Sequence, residues 1–289
     1  MRFGLRRRRR LARLAGGVAL LLFTLSAQAE TDIAATMRIS IIIDDMGDQR
    51  EAGLRALDLP GAVTYAFLPH TPHARSLAES AHRLGKEVML HLPMQAMESN
   101  HFLGPGALTL DMSRHQFRTT LRQDLNAVPH VAGINNHMGS LLTRHPGHMQ
   151  WLMEELTQRV GLYFVDSRTT HHSVAAQLAR EHNIPARQRD VFLDDDPSPD
   201  AILHQFKRLI NKAVRQGSAI GIGHPYDSTL TVLSVMIPQL ARAGIALVPV
   251  STLLQDSPDT QWARPAGAPP GPLVYNTSGL SESAGDNTP

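Results

Sequence analysis

Short apolar runs recur along the middle of the chain, and the stretches between them carry apolar residues every three or four positions. The runs are rich in β-branched residues and almost uninterrupted, which is typical of strands buried on both faces of a parallel sheet. We predict strands over residues 37–43, 62–68, 87–90, 131–134, 162–165, 191–193, 218–222 and 246–250.

The intervening stretches predict helices. One apolar face comprises Met149, Leu152, Met153, Leu156 and Val160, and another comprises Ile202, Phe206, Leu209, Ile210 and Ala213. Helix boundaries are also marked, by a capping box at Ser113 and Gln116, by Pro146, and by the terminal glycines Gly217 and Gly244. Alternating strands and helices predict an α/β fold: a closed or partly open (β/α) barrel of about seven to eight parallel strands, with a doubly wound open sheet as the alternative.

The two ends of the chain have other patterns. Arginines crowd the first 13 positions, an apolar run covers residues 14–25, and Ala27-Gln28-Ala29 offers a small-residue cleavage site. This order predicts a secretory signal peptide over residues 1–29, although a short N-terminal anchor or an unprocessed basic tail would share it. Residues 256–289 are rich in Pro, Gly and Ser and predict a disordered tail, so residues 37–255 remain as one domain.

The predicted signal peptide changes the meaning of the net charge. The whole chain has 28 basic and 26 acidic residues, and removing residues 1–29 leaves 21 basic and 26 acidic ones. Such a mature protein gives no support to nucleic-acid binding. The apolar run is also too short to span a bilayer comfortably, so no stable membrane span is expected after cleavage.

Reactive side chains follow almost every predicted strand. Because the carboxyl ends of barrel strands meet at one face, these residues predict a single polar pocket there. The helix-to-strand loops on the other face offer mainly Gly, Asn and Pro. The residues in question lie in the segments Asp44-Asp45, His70 to His73, His91, Asn135 to Ser140, Asp166 to Thr170, Asp194 to Asp196 and His224.

The composition favours a metal held by histidine and carboxylate. The chain has 15 histidines and no cysteine, which excludes thiolate ligands and disulfides. Asp45, His91 and His137, one from each of three strand ends, supply the three ligands of a catalytic site with a position left for water. Taken singly, each histidine has a plainer interpretation as a hydrogen-bonded loop residue, and Asp44-Asp45 as a helix cap with a first-turn acid.

Five ordered motifs resemble the divergent polysaccharide deacetylase family, exported bacterial relatives of the NodB-like carbohydrate esterases. They cover about residues 37–254 and read IIIDDMG from Ile41, VMLHLPM from Val88, GINNHMGS from Gly133, DSRTT from Asp166 and IGHP from Ile222. The resemblance implies a distorted (β/α) barrel of the NodB-like deacetylase type.

The resemblance also implies roles for individual residues. Asp44 resembles the catalytic base of the NodB-like enzymes, Asp45 and His91 resemble metal ligands, and His224 resembles the catalytic acid. The position of the second NodB-like histidine holds Gln95 here. We infer that His137 replaces that ligand from the neighbouring loop. One carboxylate and two imidazoles suit zinc, cobalt, nickel or manganese, and zinc is the metal we expect.

The implied activity is removal of N-acetyl groups from an amino-sugar polysaccharide such as a peptidoglycan-type glycan, in the periplasm or cell envelope. The positioning or substrate-contacting residues expected beside the site are Asn136, Ser140, Asp166, Arg168 and His73. The acidic run from Asp194 is interpreted mainly as helix capping. Two alternatives stay open: a glycoside hydrolase pairing Asp44 with Asp166 or Asp194, and a non-catalytic glycan-binding or envelope-assembly protein.

Overall fold

The apolar runs form strands that pair in parallel in the computed structural model, which describes residues 37–98 and 100–255. The predicted signal peptide and tail lie outside the described residues. The strands are β1 (Met37–Met46), β2 (Thr64–Phe67), β3 (Glu87–Met94), β4 (Val131–Met138), β5 (Tyr163–Asp166), β6 (Ala186–Gln188), β7 (Val191–Phe192), β8 (Ser218–Gly223) and β9 (Ile245–Leu247).

The strand order is that of a barrel opened at one seam. Along the sheet the order is β6-β5-β4-β3-β2-β1-β8-β7, so β1 lies between β2 and β8 and the path stops at β6 and β7. The short β9 pairs with the beginning of β1, at Met37 to Ile39. A doubly wound sheet would not run in this cyclic order. The predicted distorted (β/α) barrel is therefore confirmed.

Several strand predictions differ from the structure. The strand predicted over residues 246–250 is the shorter β9, Ile245–Leu247, because the chain turns there and α8 begins at Val250. The three residues of β6 were not predicted, because the short ARQ segment has no apolar run to mark it. Strands β3 and β4 extend four residues beyond the predicted ends, to Met94 and Met138. His91 and His137 therefore lie on regular strand backbone, not in the loops that follow, and β-pairing fixes their positions.

Helices cover the outside of the sheet, and their ends follow the predicted signals. Ser113 and Gln116 form the expected capping box, and Gly217 ends its helix in the left-handed conformation. The prediction that Val160 belongs to the apolar face of α4 is wrong, because α4 ends at Leu156 and Val160 is fully exposed. The helices are α1 (Arg50–Leu57), α2 (Ala74–Arg83), α3 (Arg114–Ala127), α4 (Pro146–Leu156), α5 (Ala175–Glu181), α6 (Pro199–Gln216), α7 (Asp227–Met236) and α8 (Val250–Gln255).

Apolar side chains form two clusters, one on each face of the sheet. The larger lies between the strands and the outer helices. The smaller fills the inside of the barrel and includes Val250, Leu253 and Leu254 of α8. The first residues of α8 pack at the amino ends of the strands, where the Ser251 backbone N–H donates to the Glu87 carboxylate at the start of β3. Helix α8 thus closes the barrel at the end opposite the predicted pocket.

In residues 37–98 and 100–255, the structure contains no helix both long and apolar enough to cross a bilayer.

Candidate metal centre and active site

Three side chains, from β1, β3 and β4, converge at the carboxyl end of the barrel. Asp45 Oδ1 lies 3.2 Å from His91 Nε2 and 3.0 Å from His137 Nδ1. The two ring nitrogens are 3.2 Å apart. The three atoms therefore form a nearly equilateral triangle, built from the residues that the sequence predicted as metal ligands.

Hydrogen bonds on the far side of each imidazole fix which nitrogen carries the proton. The Asn135 amide donates to an Asp44 carboxylate oxygen (2.7 Å), so the Asn135 carbonyl oxygen faces His91 Nδ1 (2.8 Å) and accepts from it. His137 Nε2 donates to the Phe102 carbonyl oxygen, 2.9 Å away. His91 Nε2 and His137 Nδ1 therefore both direct lone pairs toward Asp45, as ligating histidines do in metal sites.

Three atoms with lone pairs, Asp45 Oδ1, His91 Nε2 and His137 Nδ1, therefore face one another. Asp45 Oδ1 is buried and has no hydrogen-bond partner. Burial alone would raise the pKa of Asp45, but His137 and His91 lower it far below its ordinary value. Burial likewise would lower the pKa of His91, but Asp44 and Asp45 raise it. Both shifts have the same cause, which is that the carboxylates and the imidazoles are close enough for a positive charge between them to be favourable.

The triangle fits a divalent cation. Ligands about 2.0–2.1 Å from a tetrahedral zinc ion lie roughly 3.3 Å from one another, close to the separations of the three atoms. Asp45, His91 and His137 form the one such group of His, Cys, Asp or Glu in the part of the chain that the structure describes. One carboxylate and two neutral imidazoles are a suitable donor set for zinc and for its first-row neighbours.

An irregularity at the end of β1 brings two consecutive carboxylates to the same site. Successive strand residues normally point to opposite faces. Asp45, however, has a left-handed backbone (φ 54°), and the β1–β2 register shifts between Ile43 and Met46. Asp44 and Asp45 consequently both approach His91, with Asp44 Oδ2 3.6 Å from His91 Nε2. Aspartate tolerates this backbone conformation better than most residues, which suits the sequence to the turn.

The turn is completed by a glycine that no other residue could replace without strain. Gly47 has φ 124°, and a Cβ there would clash with the Thr71 hydroxyl. The Gly47 carbonyl oxygen accepts from the His73 backbone N–H, 2.9 Å away. The loop after β2 therefore supports the turn that presents Asp45.

Asp44 lies beside the triangle and is almost completely buried. Burial raises its pKa, and the neighbouring His91 and His224 and the bond from Asn135 offset only part of that increase. One of its oxygens accepts from Asn135, and the other faces His91.

His224 approaches the triangle from the other side of β1. Its Nδ1 donates to Asp194 Oδ1 at 3.0 Å, and its backbone N–H donates to Asp194 Oδ2 at 2.6 Å. Its Nε2 is therefore directed toward Asp45, 3.8 Å from Oδ2. Burial alone would lower the pKa of His224, but Asp194, Asp45 and Asp44 raise it to about 9.

Asp194 does not act as the helix cap that the sequence suggested. Its side chain is buried and also accepts from the Thr229 hydroxyl at 2.7 Å, while the exposed Asp196 accepts from the Ser198 backbone N–H before α6. The position of Asp194 could have indicated its contact with His224, because Asp194 follows β7 and His224 follows the neighbouring strand β8.

Two of the remaining predicted residues support loops at this end of the barrel. Asn136 is buried, donates to the Met138 carbonyl oxygen and accepts from the Ser167 backbone N–H. His73 lies at the N-terminal cap of α2 and acts through the backbone bond to Gly47. Neither side chain has a described hydrogen bond to the triangle. Asn135, which was not predicted as a residue beside the site, contacts His91 directly, and its side chain is on the same face of β4 as His137.

The other three predicted residues contact loops and strands around the site. Asp166 is buried and accepts from the Arg168 backbone N–H and the Ser173 hydroxyl. Arg168 itself is exposed and donates to Gln188. Ser140 accepts from the Met97 backbone N–H, in the segment between β3 and α3.

Gln95, which occupies the position of the second NodB-like histidine, contributes to the same segment. Its side-chain oxygen accepts from the Leu110 backbone N–H, and its carbonyl oxygen accepts from the backbone of Leu141 and Leu142. Gln95 therefore joins two loops, while His137 reaches the triangle from β4.

The fold and the triangle define a (β/α)-barrel protein with a candidate metal centre at the carboxyl ends of its strands. A sequence profile of the family described as "Divergent polysaccharide deacetylase" matches residues 41–254. The chain belongs to this family, as its motifs indicated.

Two relatives cover most of the chain. The uncharacterized protein YibQ of Escherichia coli (strain K12) is 40% identical over 219 residues, which are 76% of this chain and 68% of that protein. An uncharacterized protein of Haemophilus influenzae is 33% identical over 240 residues, 83% of this chain and 82% of that one. The crystal structure of uncharacterized protein ATU2773 from Agrobacterium tumefaciens C58 has the same fold, with a TM-score of 0.73 at 24% identity over 76% of this chain and 90% of that one.

Proposed function

We propose that this protein is an exported, metal-dependent deacetylase that removes N-acetyl groups from an amino-sugar polysaccharide of the cell envelope. The observation that supports this function most strongly is the triangle of Asp45, His91 and His137, with Asp44 and His224 beside it. Membership of the divergent polysaccharide deacetylase family supports a glycan substrate.

Asp45, His91 and His137 are the proposed metal ligands. When bound there, a divalent cation, for which zinc is our first candidate, would polarise the acetyl carbonyl and lower the pKa of a water molecule. Asn135 accepts from His91 Nδ1 and the Phe102 carbonyl oxygen accepts from His137 Nε2, so His91 Nε2 and His137 Nδ1 are the nitrogens that face the proposed ion.

The residues beside the triangle divide the proton transfers between them. Asp44 is the proposed base: Asn135 holds one carboxylate oxygen, and the other is directed toward the site to take a proton from water. His224 is the proposed acid, because Asp194 holds its Nδ1 and leaves Nε2 to protonate the departing sugar amine. Asp194 is thus a positioning residue for His224.

The proposed location is the bacterial periplasm or cell envelope. It depends on the secretory pattern of residues 1–29, with a basic head, an apolar run and a small-residue cleavage site. A polysaccharide substrate and an exported protein are consistent with each other, since envelope glycans lie outside the cytoplasm.

The glycoside hydrolase alternative receives no support from the carboxylates it would need. Asp166 and Asp194 are both buried, and each accepts two or more hydrogen bonds from its own surroundings. A second catalytic carboxylate has to face the scissile bond across from the first.

Metal analysis of the purified protein tests the proposed ligands. We expect about one divalent ion per chain, lost in Asp45→Ala and in His137→Ala and retained in His115→Ala, which removes an exposed histidine of α3. Full retention of metal in both ligand variants would refute the proposed site.

Acetate release from acetylated amino-sugar polymers tests turnover. Asp44→Ala should keep its metal and lose acetate release, because it removes the base and leaves the ligands intact. Bound metal in the wild type with no acetate release from chitin oligosaccharides or peptidoglycan strands would instead favour the non-catalytic glycan-binding alternative.

A further inference from the structure

Two exposed aromatic rings lie at the candidate active site. Among the Phe, Tyr and Trp side chains that the structure describes, Phe102 and Tyr226 alone are exposed, with 75% and 48% of their surface accessible. An isolated apolar residue on a surface is ordinary. Here, however, both rings are at the same end of the barrel, and each is attached to a different residue of the site.

Phe102 is attached through its backbone. It belongs to the segment between β3 and α3, and its carbonyl oxygen accepts the proton of His137 Nε2. In the same segment Met97 is also exposed, and its backbone N–H donates to Ser140 just after β4. Bonds from the end of β4 therefore hold this segment beside the ligand His137, and the Phe102 ring packs edge-on against His101, with centroids 4.9 Å apart, while most of its surface stays exposed.

Tyr226 is attached through its ring. It follows β8 and stacks on the His224 imidazole, with ring centroids 5.4 Å apart and planes inclined by 29°. Together with Asp45, Gln49 and Pro225 it lines a cleft that opens beside the triangle. The tyrosine side chain is therefore partly exposed and lines a cleft that reaches a proposed metal ligand.

The strand order places the two rings on opposite sides of the site. Asp45 ends β1, whose neighbours in the sheet are β2 and β8. Phe102 lies beyond β2, in the segment after β3, whereas Tyr226 follows β8. A long ligand that crosses the triangle would meet one ring on each side of it.

We propose that Phe102 and Tyr226 form a stacking platform for sugar rings on either side of the reacting residue, so that the protein binds an internal segment of a glycan chain in preference to a single sugar. This inference concerns the substrate of the proposed reaction and rests on the proposed function. Pyranose rings present apolar C–H faces, and flat aromatic rings match such faces while leaving the sugar hydroxyls in water. No charged group of the ligand is required.

Calorimetric binding of N-acetylglucosamine, of its β-1,4-linked tetramer and of uncrosslinked peptidoglycan strands tests the platform. The measurements use metal-loaded protein carrying Asp44→Ala, so that no substrate is turned over. Phe102→Ala and Tyr226→Ala are each expected to weaken binding of the tetramer or the strands about tenfold, and to change the weak binding of the monosaccharide little.

Three controls separate stacking from disruption of the site. Phe102→Ala keeps the backbone carbonyl that holds His137, so its metal content should equal that of the parent. Phe102→Tyr and Tyr226→Phe keep the rings and should retain affinity. Leu84→Ala removes an exposed apolar side chain at the end of α2 and should have no effect.

Three outcomes would overturn the platform. The parent protein could bind neither the tetramer nor the strands, or the alanine variants could bind as well as Leu84→Ala. Removal of the rings could also change only self-association, measured by sedimentation. The proposed function can fail separately. Ring-dependent glycan binding by a wild-type protein that releases no acetate would refute deacetylation and leave the platform intact. If Phe102→Ala and Tyr226→Ala, made in the otherwise wild-type protein, release acetate with an unchanged KM for the tetramer, the platform is refuted and deacetylation is supported.

Discussion

The direction in which His91 presents its lone pair depends on one amide. A carboxylate can only accept hydrogen bonds, so Asp44 orients the Asn135 NH₂ group toward itself and the Asn135 oxygen toward His91. Neither Asn135 nor Asp44 is a proposed ligand, yet together they determine whether His91 Nε2 can be one.

Replacement of Asn135 should therefore weaken metal binding without removing a ligand. We expect Asn135→Ala to lower zinc affinity by about 10- to 100-fold, the usual effect of removing a partner of a ligating histidine. Asn136→Ala is the matched control, since it deletes an equally buried neighbouring amide that contacts only backbone groups. Competition with a chelator of known affinity measures both. Equal losses in the two variants would show that Asn135 acts only through general stability.

Residue identity alone did not distinguish these two asparagines. The sequence predicted Asp45, His91 and His137 because their types and strand positions suit a metal, and the structure brings all three together. It gave Asn136 and not Asn135 as a residue beside the site, and it ended β4 at residue 134, four residues before the observed end. With His137 on the strand, the period of two assigns Asn135 to the same face.

At the scale of secondary structure, the end of β1 and the last helix have complementary tasks. The left-handed turn at Asp45 brings two carboxylates to the site at the carboxyl ends of the strands, whereas α8 covers the barrel at their amino ends. The apolar run of β1 was plain in the sequence. The turn was not, because a positive φ at an aspartate depends on contacts such as that between Gly47 and the loop after β2.

The closure by α8 predicts a stability effect far from the site. Leu253 is buried inside the barrel, so Leu253→Ala should reduce the free energy of unfolding by about 2–5 kcal/mol in urea titrations. Leu84→Ala, at a position with 58% of the leucine exposed, should cost much less. Metal content of the folded protein should be the same in both. A Leu253→Ala cost no larger than that of Leu84→Ala would mean that α8 does not contribute to the core.

At the scale of the whole molecule, the cyclic strand order is what makes a site from distant residues. Asp45, His91, His137 and His224 are separated by 40 residues or more along the chain, and each reaches the site because parallel strands end at one face. This part of the architecture followed from alternating patterns in the sequence. The pairing of His224 with buried Asp194 did not, since it depends on which strands are neighbours across the barrel.

The most direct test is a crystal structure of the zinc-loaded protein, with anomalous diffraction measured on both sides of the zinc absorption edge. We predict one strong anomalous peak bonded to Asp45 Oδ1, His91 Nε2 and His137 Nδ1, at about 2.0–2.2 Å from each. The peak should be absent in crystals of His137→Ala. A peak elsewhere, or one that persists at the same position in that variant, would contradict the metal centre on which the proposed function depends.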